Sequence, residues 1–460
     1  MRIVVIGGGI AGLAAARRLT QLLPDANIVL VEREQRFGGK ILTERTTDGF
    51  VIEAGADSFL SRKERGVGLC EELGLQHELL GRRPEHARTF VRRGRELHQL
   101  PEGLTGMIPT NLDALSESAL LSTDGKARLA AEVDITPDPD RGDESIASFV
   151  TRRLGPEVYD NLVEPLMTGI YGGDGEQLSL RATFPQLREL ELEHGSVLRG
   201  LGEASASGRY PPFLTLGSGM DSLVRALSNS LERRIGSAVG ETAVSLRQHR
   251  DRYVVELGDR STIDADGVII AVPAFAAAPL LAGVDRELAE LHAGIPYASS
   301  AIVTLAYREE DISHPLDGYG YVVPRDEGTD VLACTWTSQK WERRAPEGAV
   351  LVRVYAGRFG KRDVTKKRDR KLLGLAREEL GLLGISAEPM LTRIHRWPRG
   401  MPQYVMGHPE RLERIDERLS AIPGLALAGA AYRGVGIPDC IHSGEVAADS
   451  VVRAVAGASA

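Results

Sequence analysis

Apolar positions fall into two rhythms along this chain. Both ends carry short β-branched runs that stop at glycines and pass into helical stretches, whereas the middle is helical in period almost throughout. Met1 to Ile6 is apolar enough for a strand buried on both faces. It breaks at Gly7-Gly8-Gly9-Ile10-Ala11-Gly12 into a helical stretch, Leu13–Leu19, and Ile28–Val31 reads as a second strand ending at Glu32. Phe50–Glu53 leads into a further turn, Gly55-Ala56-Asp57-Ser58, and Lys63–Leu75 has helical spacing with Gly74 near its end. Residues 80–100 look like an arginine-rich hairpin.

From about Leu104 to Gly202 the helical period takes over, at Gly125–Val133, Ser145–Leu154 and Glu157–Met167, with a Pro/Asp loop at 137–142. Strand signals then return at Thr242–Leu246, Tyr253–Leu257 and Gly267–Pro273, after a glycine turn that opens a helix near Met220. Ser300–Tyr307, Tyr319–Val323, Val331–Thr337 and Val350–Tyr355 predict an antiparallel sheet with a helix, Lys371–Gly381, laid on it. After Gly424 a buried strand enters the loop Gly429 to Gly436, and Pro438 stands where a last helix begins.

The opening stretch is a Gly-x-Gly-x-x-Gly turn in its required setting: strand, turn, helix, strand, acid. Gly7 permits the turn, Gly9 lets backbone approach a pyrophosphate, and Gly12 allows the helix to lie close to the strand. N–H groups at the new helix start, around Gly8, Ile10 and Ala11, suit the anion. Glu32 suits a ribose diol, and Arg33 beside it is placed to cover an adenine. A second glycine pair, Gly38-Gly39, follows, which a simple nicotinamide domain does not need. Enzymes resembling glutathione reductase, amine oxidase and carotenoid desaturase carry one where the chain folds back across FAD. Lys40 then meets either phosphate or flavin oxygen, or is a solvated strand-edge lysine. In such flavoproteins the turn Gly55 to Ser58 passes beside the isoalloxazine, Val244 offers backbone to the adenine edge, and the N-terminus of the last helix faces the flavin's pyrimidine end.

Composition narrows the classes. At 460 residues the chain is too long for one core, and its net charge of −8 with mixed signs argues against nucleic acid as partner. Cys70, Cys334 and Cys440 are far apart and odd in number, which suits a reducing, cytoplasmic setting and gives no metal-ligand spacing. The start lacks a signal-peptide pattern. The longest uncharged stretch, Gly267–Val284, is interrupted by Pro273 and Pro279 and is expected to be a strand entering a loop rather than a membrane span. Peripheral membrane contact stays open.

Several tracts outside the nucleotide turn carry a more specific resemblance. They are Gly55-Ala-Asp-Ser-Phe-Leu60 with Arg62-Lys63, Met107-Ile-Pro-Thr110, Glu164-Pro-Leu-Met-Thr-Gly-Ile-Tyr-Gly-Gly-Asp174 and Ala333-Cys-Thr-Trp-Thr337 with Lys340-Trp341. Arg396-Trp397, Met401-Pro-Gln-Tyr404, Gly407-His408 and Gly434-Val-Gly-Ile-Pro-Asp-Cys440 continue it. With these the chain resembles the porphyrinogen oxidases of the amine-oxidase-like flavoproteins, most of all the soluble bacterial coproporphyrinogen III oxidases. Ala56 departs from the proline usual in that turn.

The resemblance implies an α/β fold with an α+β substrate side: a Rossmann-like FAD-binding domain (residues 1–75, 203–296 and 396–460), an antiparallel-sheet substrate domain (76–104 and 297–395) and a mainly helical inserted domain (105–202). It implies oxidation of a tetrapyrrole by noncovalent FAD, with molecular oxygen as acceptor and hydrogen peroxide as product. The substrate is coproporphyrinogen III, with protoporphyrinogen IX as the alternative; an amine oxidase or a porphyrin carrier is more distant. Transient contact with a ferrochelatase is left open. On this reading Gly429, Val435, Gly436, Ile437 and Trp397 line the flavin. Lys63 binds a propionate or moves a proton, Tyr404 touches substrate or is a core tyrosine, and Arg88 and Arg95 are weaker carboxylate candidates. His408 is read as structural.

Overall fold

The computed structural model describes the chain apart from residues 103, 106, 110, 204–208, 251 and 458–460, so Thr110 of the matched tracts lies outside the described residues. Its organising layer is a five-stranded parallel sheet. The spatial order is Gly236–Val239, Asn27–Glu32, Arg2–Ile6, Gly267–Ile270 and Leu425–Leu427. Segments far apart in sequence thus rebuild one sheet. Ile3, Val4 and Val5 are fully buried in its central strand, as an uninterrupted β-branched run requires when both faces are covered: helices pack on one, and on the other the three-stranded antiparallel sheet of residues 243–265. The helix Ile10–Leu22 covers one face together with the last helix, Ile437–Gly457. A Cβ at Gly444 would stand 2.1 Å from the Ala11 carbonyl oxygen, so these two helices meet backbone to backbone.

A second, seven-stranded sheet runs in the order Leu391–Pro402, Tyr297–Arg308, Ala349–Ala356, Val331–Trp336, Gly320–Val322, Phe90–Arg93 and Glu96–Gln99. Its neighbours are antiparallel except the pair joining residues 321–322 to 90–91. The helix Asp369–Gly381 buries Leu372, Ala376 and Leu380 against it. The hairpin expected at 80–100 is therefore two strands of this sheet. A helical unit packs around an apolar core that runs from Leu115 through Leu198 and takes in Val91 of this sheet with Leu100, Met107 and Ile108.

Four expectations change. The edge strand Leu391–Pro402 has no counterpart in the apolar pattern: Arg393, His395, Arg396 and Arg399 break any alternation, and Pro398 is tolerable only at an edge. It carries the sheet seven residues beyond 395, so Trp397, paired with Ser300 in the second sheet, reaches the turn that follows Glu53. At the other margin, Leu79–Gly81 pairs with Phe213–Leu216 and not with the seven-stranded sheet. Gly267–Val284 is a strand followed by a helix, Ala274–Leu281, because the alanine-rich run after Pro273 favours helix strongly enough to hold Pro279 inside it. Finally, Glu157–Met167 is not one regular helix: Tyr159–Val163 widens to a π turn just before Pro165, which has no N–H to continue the usual ladder. Among the described residues no helix is long and apolar enough to cross a membrane.

Candidate active site

The glycine turn has the shape that its sequence calls for. Gly7 has φ +109°, and a Cβ there would lie 2.8 Å from the Ala271 carbonyl oxygen. A Cβ on Gly12 would be 1.8 Å from the Gly7 oxygen, so only glycine lets this helix begin so near the strand. Gly9, in contrast, has nothing within 4 Å of its would-be Cβ, and the first helical residue, Ile10, follows it with Ala11. An open backbone at a helix N-terminus is what a pyrophosphate needs. The Glu32 carboxylate is held there by two backbone N–H groups, from Gly8 at 2.6 Å and Glu34 at 2.7 Å. Arg33 is exposed and pairs with Glu34.

The second glycine pair returns onto the first. The Gly38 N–H donates to the Gly8 carbonyl at 2.8 Å, and Gly39 (φ +56°) lies against Gly9. Arg36, which the sequence reading passed over, ties this return by donating to the Phe37, Gly39 and Ile41 carbonyls. Its only signal is an arginine two residues before a glycine pair. Val244 is the extra residue of a β-bulge between Ala243 and Ser245, so its backbone has no opposite number in that ladder. The same segment reaches Glu32, whose carbonyl accepts from Gly240 and Glu241.

The turn at 54–58 is clamped by the other sheet. Trp397 Nε1 donates to the Ala54 carbonyl at 2.6 Å, and Arg353 Nη2 donates to the Gly55 carbonyl at 2.7 Å. One Asp57 carboxylate oxygen accepts from both Lys340 Nζ and Trp341 Nε1 at 3.1 Å, with Arg353 Nη1 at 3.7 Å. Ser58 Oγ donates to the other oxygen, while Ala56, with only a methyl group, is exposed on the turn. Burial disfavours the Asp57 carboxylate, but Lys340 and Arg353 outweigh it and hold the group well below the usual carboxylate range. Lys40 Nζ, expected at phosphate or flavin, donates to the Gly400 carbonyl of the edge strand. Behind the turn a buried pair, Glu53 and Arg344, fastens it to Thr215 and Met220. Arg353, Lys340 and Arg344 had no assigned role from sequence, since a lone charged residue in a strand, at a helix end or in a loop reads as solvated.

The last loop closes the site. Gly429 has φ +115° with open space beside it, and its N–H donates to Ser443 Oγ. At Gly434 (φ +125°) a Cβ would collide with the Asp439 carboxyl carbon at 2.4 Å. Asp439 Oδ2 accepts the Gly436 N–H at 3.1 Å, and Val435 and Ile437 flank it. Lys63 Nζ lies 2.7 Å from both Asp439 oxygens. Lys63 therefore reaches the loop, but as the partner of a carboxylate, and part of the helix start expected to face a flavin is already capped. Tyr404 is corrected to a core role: its hydroxyl donates to the Ala430 carbonyl at 2.7 Å and accepts from the Gly434 N–H at 2.9 Å, leaving it 1% exposed. It positions the loop. Arg88 pairs with Asp317, Arg92 is buried between Glu327 and Glu379, and Arg93 meets Asp326. Of that cluster Arg95 stays exposed at the hairpin tip.

His408 stacks on Tyr404 at 4.3 Å and contacts the Tyr432 carbonyl through Nε2 at 3.0 Å. Burial pushes its imidazole down to about 4. A base so depressed when folded binds protons more readily unfolded. Its stabilising contribution is thus whole above about pH 6.5 and is lost as pH falls toward 4. Urea titrations should show roughly 3 kcal/mol lost across that window, with His408→Gln abolishing this part of the slope; an equally steep variant would refute it. Cys70 and Cys440 are buried and pushed up to about 12 by that burial, so neither is a thiolate at neutral pH. No metal-binding cluster of His, Cys, Asp or Glu occurs among the described residues.

Comparison with known proteins agrees with this geometry. Residues 10–452 match the model of the flavin containing amine oxidoreductases. Coproporphyrinogen III oxidase of Bacillus subtilis is 37% identical, over 97% of this chain and 96% of its own. Human protoporphyrinogen oxidase is 32% identical over 98% of each. A solved protein of Exiguobacterium sp. 255-15, described as a candidate protoporphyrinogen oxidase, superposes with a TM-score of 0.88 at 33% identity, each chain covered to 98%. The open cradle at Gly9, the glycine return, the clamped turn and these full-length matches lead to one conclusion: the chain belongs to the flavin containing amine oxidoreductases, in the group of the porphyrinogen oxidases.

Proposed function

We propose that the chain oxidises coproporphyrinogen III to coproporphyrin III with noncovalently bound FAD, reducing three molecules of oxygen to hydrogen peroxide as six hydrogens leave the macrocycle. The observation that carries this reading is the 37% identity to the Bacillus subtilis coproporphyrinogen III oxidase along nearly the whole of both chains. Bound flavin supplies the electron-accepting chemistry. The protein supplies position and charge. Gly7 to Gly12, Glu32 and the Gly38-Gly39 return would hold the dinucleotide half, with Val244 and Arg33 at the adenine. The Gly55 to Ser58 turn, Trp397 and the loop from Gly429 to Ile437 would hold the isoalloxazine. Noncovalent binding is supported by the lack of cysteine between Trp397 and Tyr404. Lys63 stands beside this ring-binding loop and is the candidate to meet a substrate carboxylate by exchanging partners with Asp439.

The second reading, a dedicated protoporphyrinogen IX oxidase, is favoured by the full-length match to the human enzyme. Anaerobic mixing of the yellow holoenzyme with each porphyrinogen separates the two. Faster bleaching of the flavin by coproporphyrinogen III is expected, followed by reoxidation and peroxide release when air is admitted. Faster bleaching by protoporphyrinogen IX would reverse the order of the readings, and bleaching by polyamines alone would return the chain to amine oxidation.

A further inference from the structure

Among the described residues, one cation near the clamped turn has no anion. Arg82 lies between two aromatic rings, its guanidinium carbon 4.8 Å from the Phe213 ring centre and 4.7 Å from that of Tyr319. Among the described residues no carboxylate pairs with it, although almost every other arginine around it is matched: Arg83 with Glu85, Arg88 with Asp317, Arg344 with Glu53. Its neighbourhood is cationic. The backbone N–H of Arg83 donates to the Lys340 carbonyl at 3.1 Å, and the Lys340 amine is held down by burial first and then, less strongly, by the nearby charges of Arg353 and Arg82. Lys340 and Arg353 share a single carboxylate, Asp57, at the turn below. Lys340 and Arg353 thus share one anion at that turn, and Arg82 beside them has none among the described residues, in a chain whose net charge is −8.

We infer that Arg82 is a carboxylate-binding residue at the rim of the site, taking one propionate-type carboxylate of the substrate. With both rings against its guanidinium carbon, its N–H donors, which no described group accepts, are left to donate two hydrogen bonds to a planar anion. Partial burial already works against its charge, so a carboxylate there relieves a cost as well as making a contact. Phe213, more than a third exposed, gives such a ligand an apolar flank. The inference rests on the porphyrinogen reading and names a contact within it.

The test uses the holoenzyme and two product-like probes, coproporphyrin III and its tetramethyl ester, with binding followed by porphyrin fluorescence. Arg82→Met is expected to weaken coproporphyrin III binding about tenfold or more and leave ester binding unchanged. Arg82→Lys, which keeps the charge but loses the fork, should fall between. In turnover the loss should appear in KM while kcat is largely kept. Should Arg82→Met fail to retain flavin, Arg82→Lys alone gives the same contrast: a weaker acid, an unchanged ester. Equal binding of coproporphyrin III by variant and wild type overturns the inference, as does a parallel loss for the ester, which would mark a packing effect. If the wild type binds neither porphyrin, the porphyrinogen reading itself falls and this contact with it.

Discussion

Gly55→Ala is expected to give a folded chain that has lost its flavin. A single Cβ at Gly55 would stand 2.2 Å from the Lys40 carbonyl oxygen, a backbone atom that cannot swing away. The turn cannot retreat either, because Trp397 holds the carbonyl before it and Arg353 holds its own. Relief must come from moving residues 39–41, which form part of the proposed cradle with Gly9. Overpacking of this kind costs about 3 kcal/mol, roughly a hundredfold in FAD affinity. Flavin absorbance per chain after purification measures it, together with the rise of melting temperature on adding FAD. A flavin content equal to wild type would show that the turn does not define the binding site.

Asp57→Ala should produce the largest loss of stability. Removing this carboxylate leaves Lys340 and Arg353 facing each other with Arg353 fully buried, and breaking such a pair costs about 3–5 kcal/mol. Asp57→Ala combined with Lys340→Met should recover part of the loss, since one of the stranded charges goes too. The carboxyl is held below its ordinary range when folded. Its stabilising contribution is therefore present above about pH 4 and is lost progressively as pH falls below that. Urea unfolding of the single and double variants at neutral and acid pH reads both effects. A single variant within 1 kcal/mol of wild type, or a double variant as weak as the two changes added, would show that the cluster is not coupled.

The features legible beforehand are those set by local backbone geometry. Glycine at 7, 9 and 12 is demanded by backbone approach within one turn of chain, and Glu32 follows from the strand that ends there. Helix starts were readable for the same reason: Ser145 caps its helix through a hydrogen bond three residues on. Tyr404 shows where this stops. Its motif placed it near the site, but only the fold reveals that its hydroxyl bridges Ala430 and Gly434 instead of facing a substrate. The strand at 391–402 escaped because an edge strand needs no apolar alternation, and its partner lies about ninety residues earlier.

By itself, then, the order of residues determined a nucleotide turn, a parallel sheet returning in segments, an antiparallel second sheet and a helical insertion, since periodicity and glycine spacing are short-range constraints. Tertiary structure alone decided which charges are matched. It buried Arg92 and Arg153 among glutamates, paired Lys63 with Asp439, set Arg353 and Lys340 on Asp57, and left Arg82 against two rings with no carboxylate among the described residues. The physical reason is that an ion pair joins side chains tens to hundreds of residues apart, and nothing in the local pattern of a helix or strand says which arginine will find an acid when the elements come together.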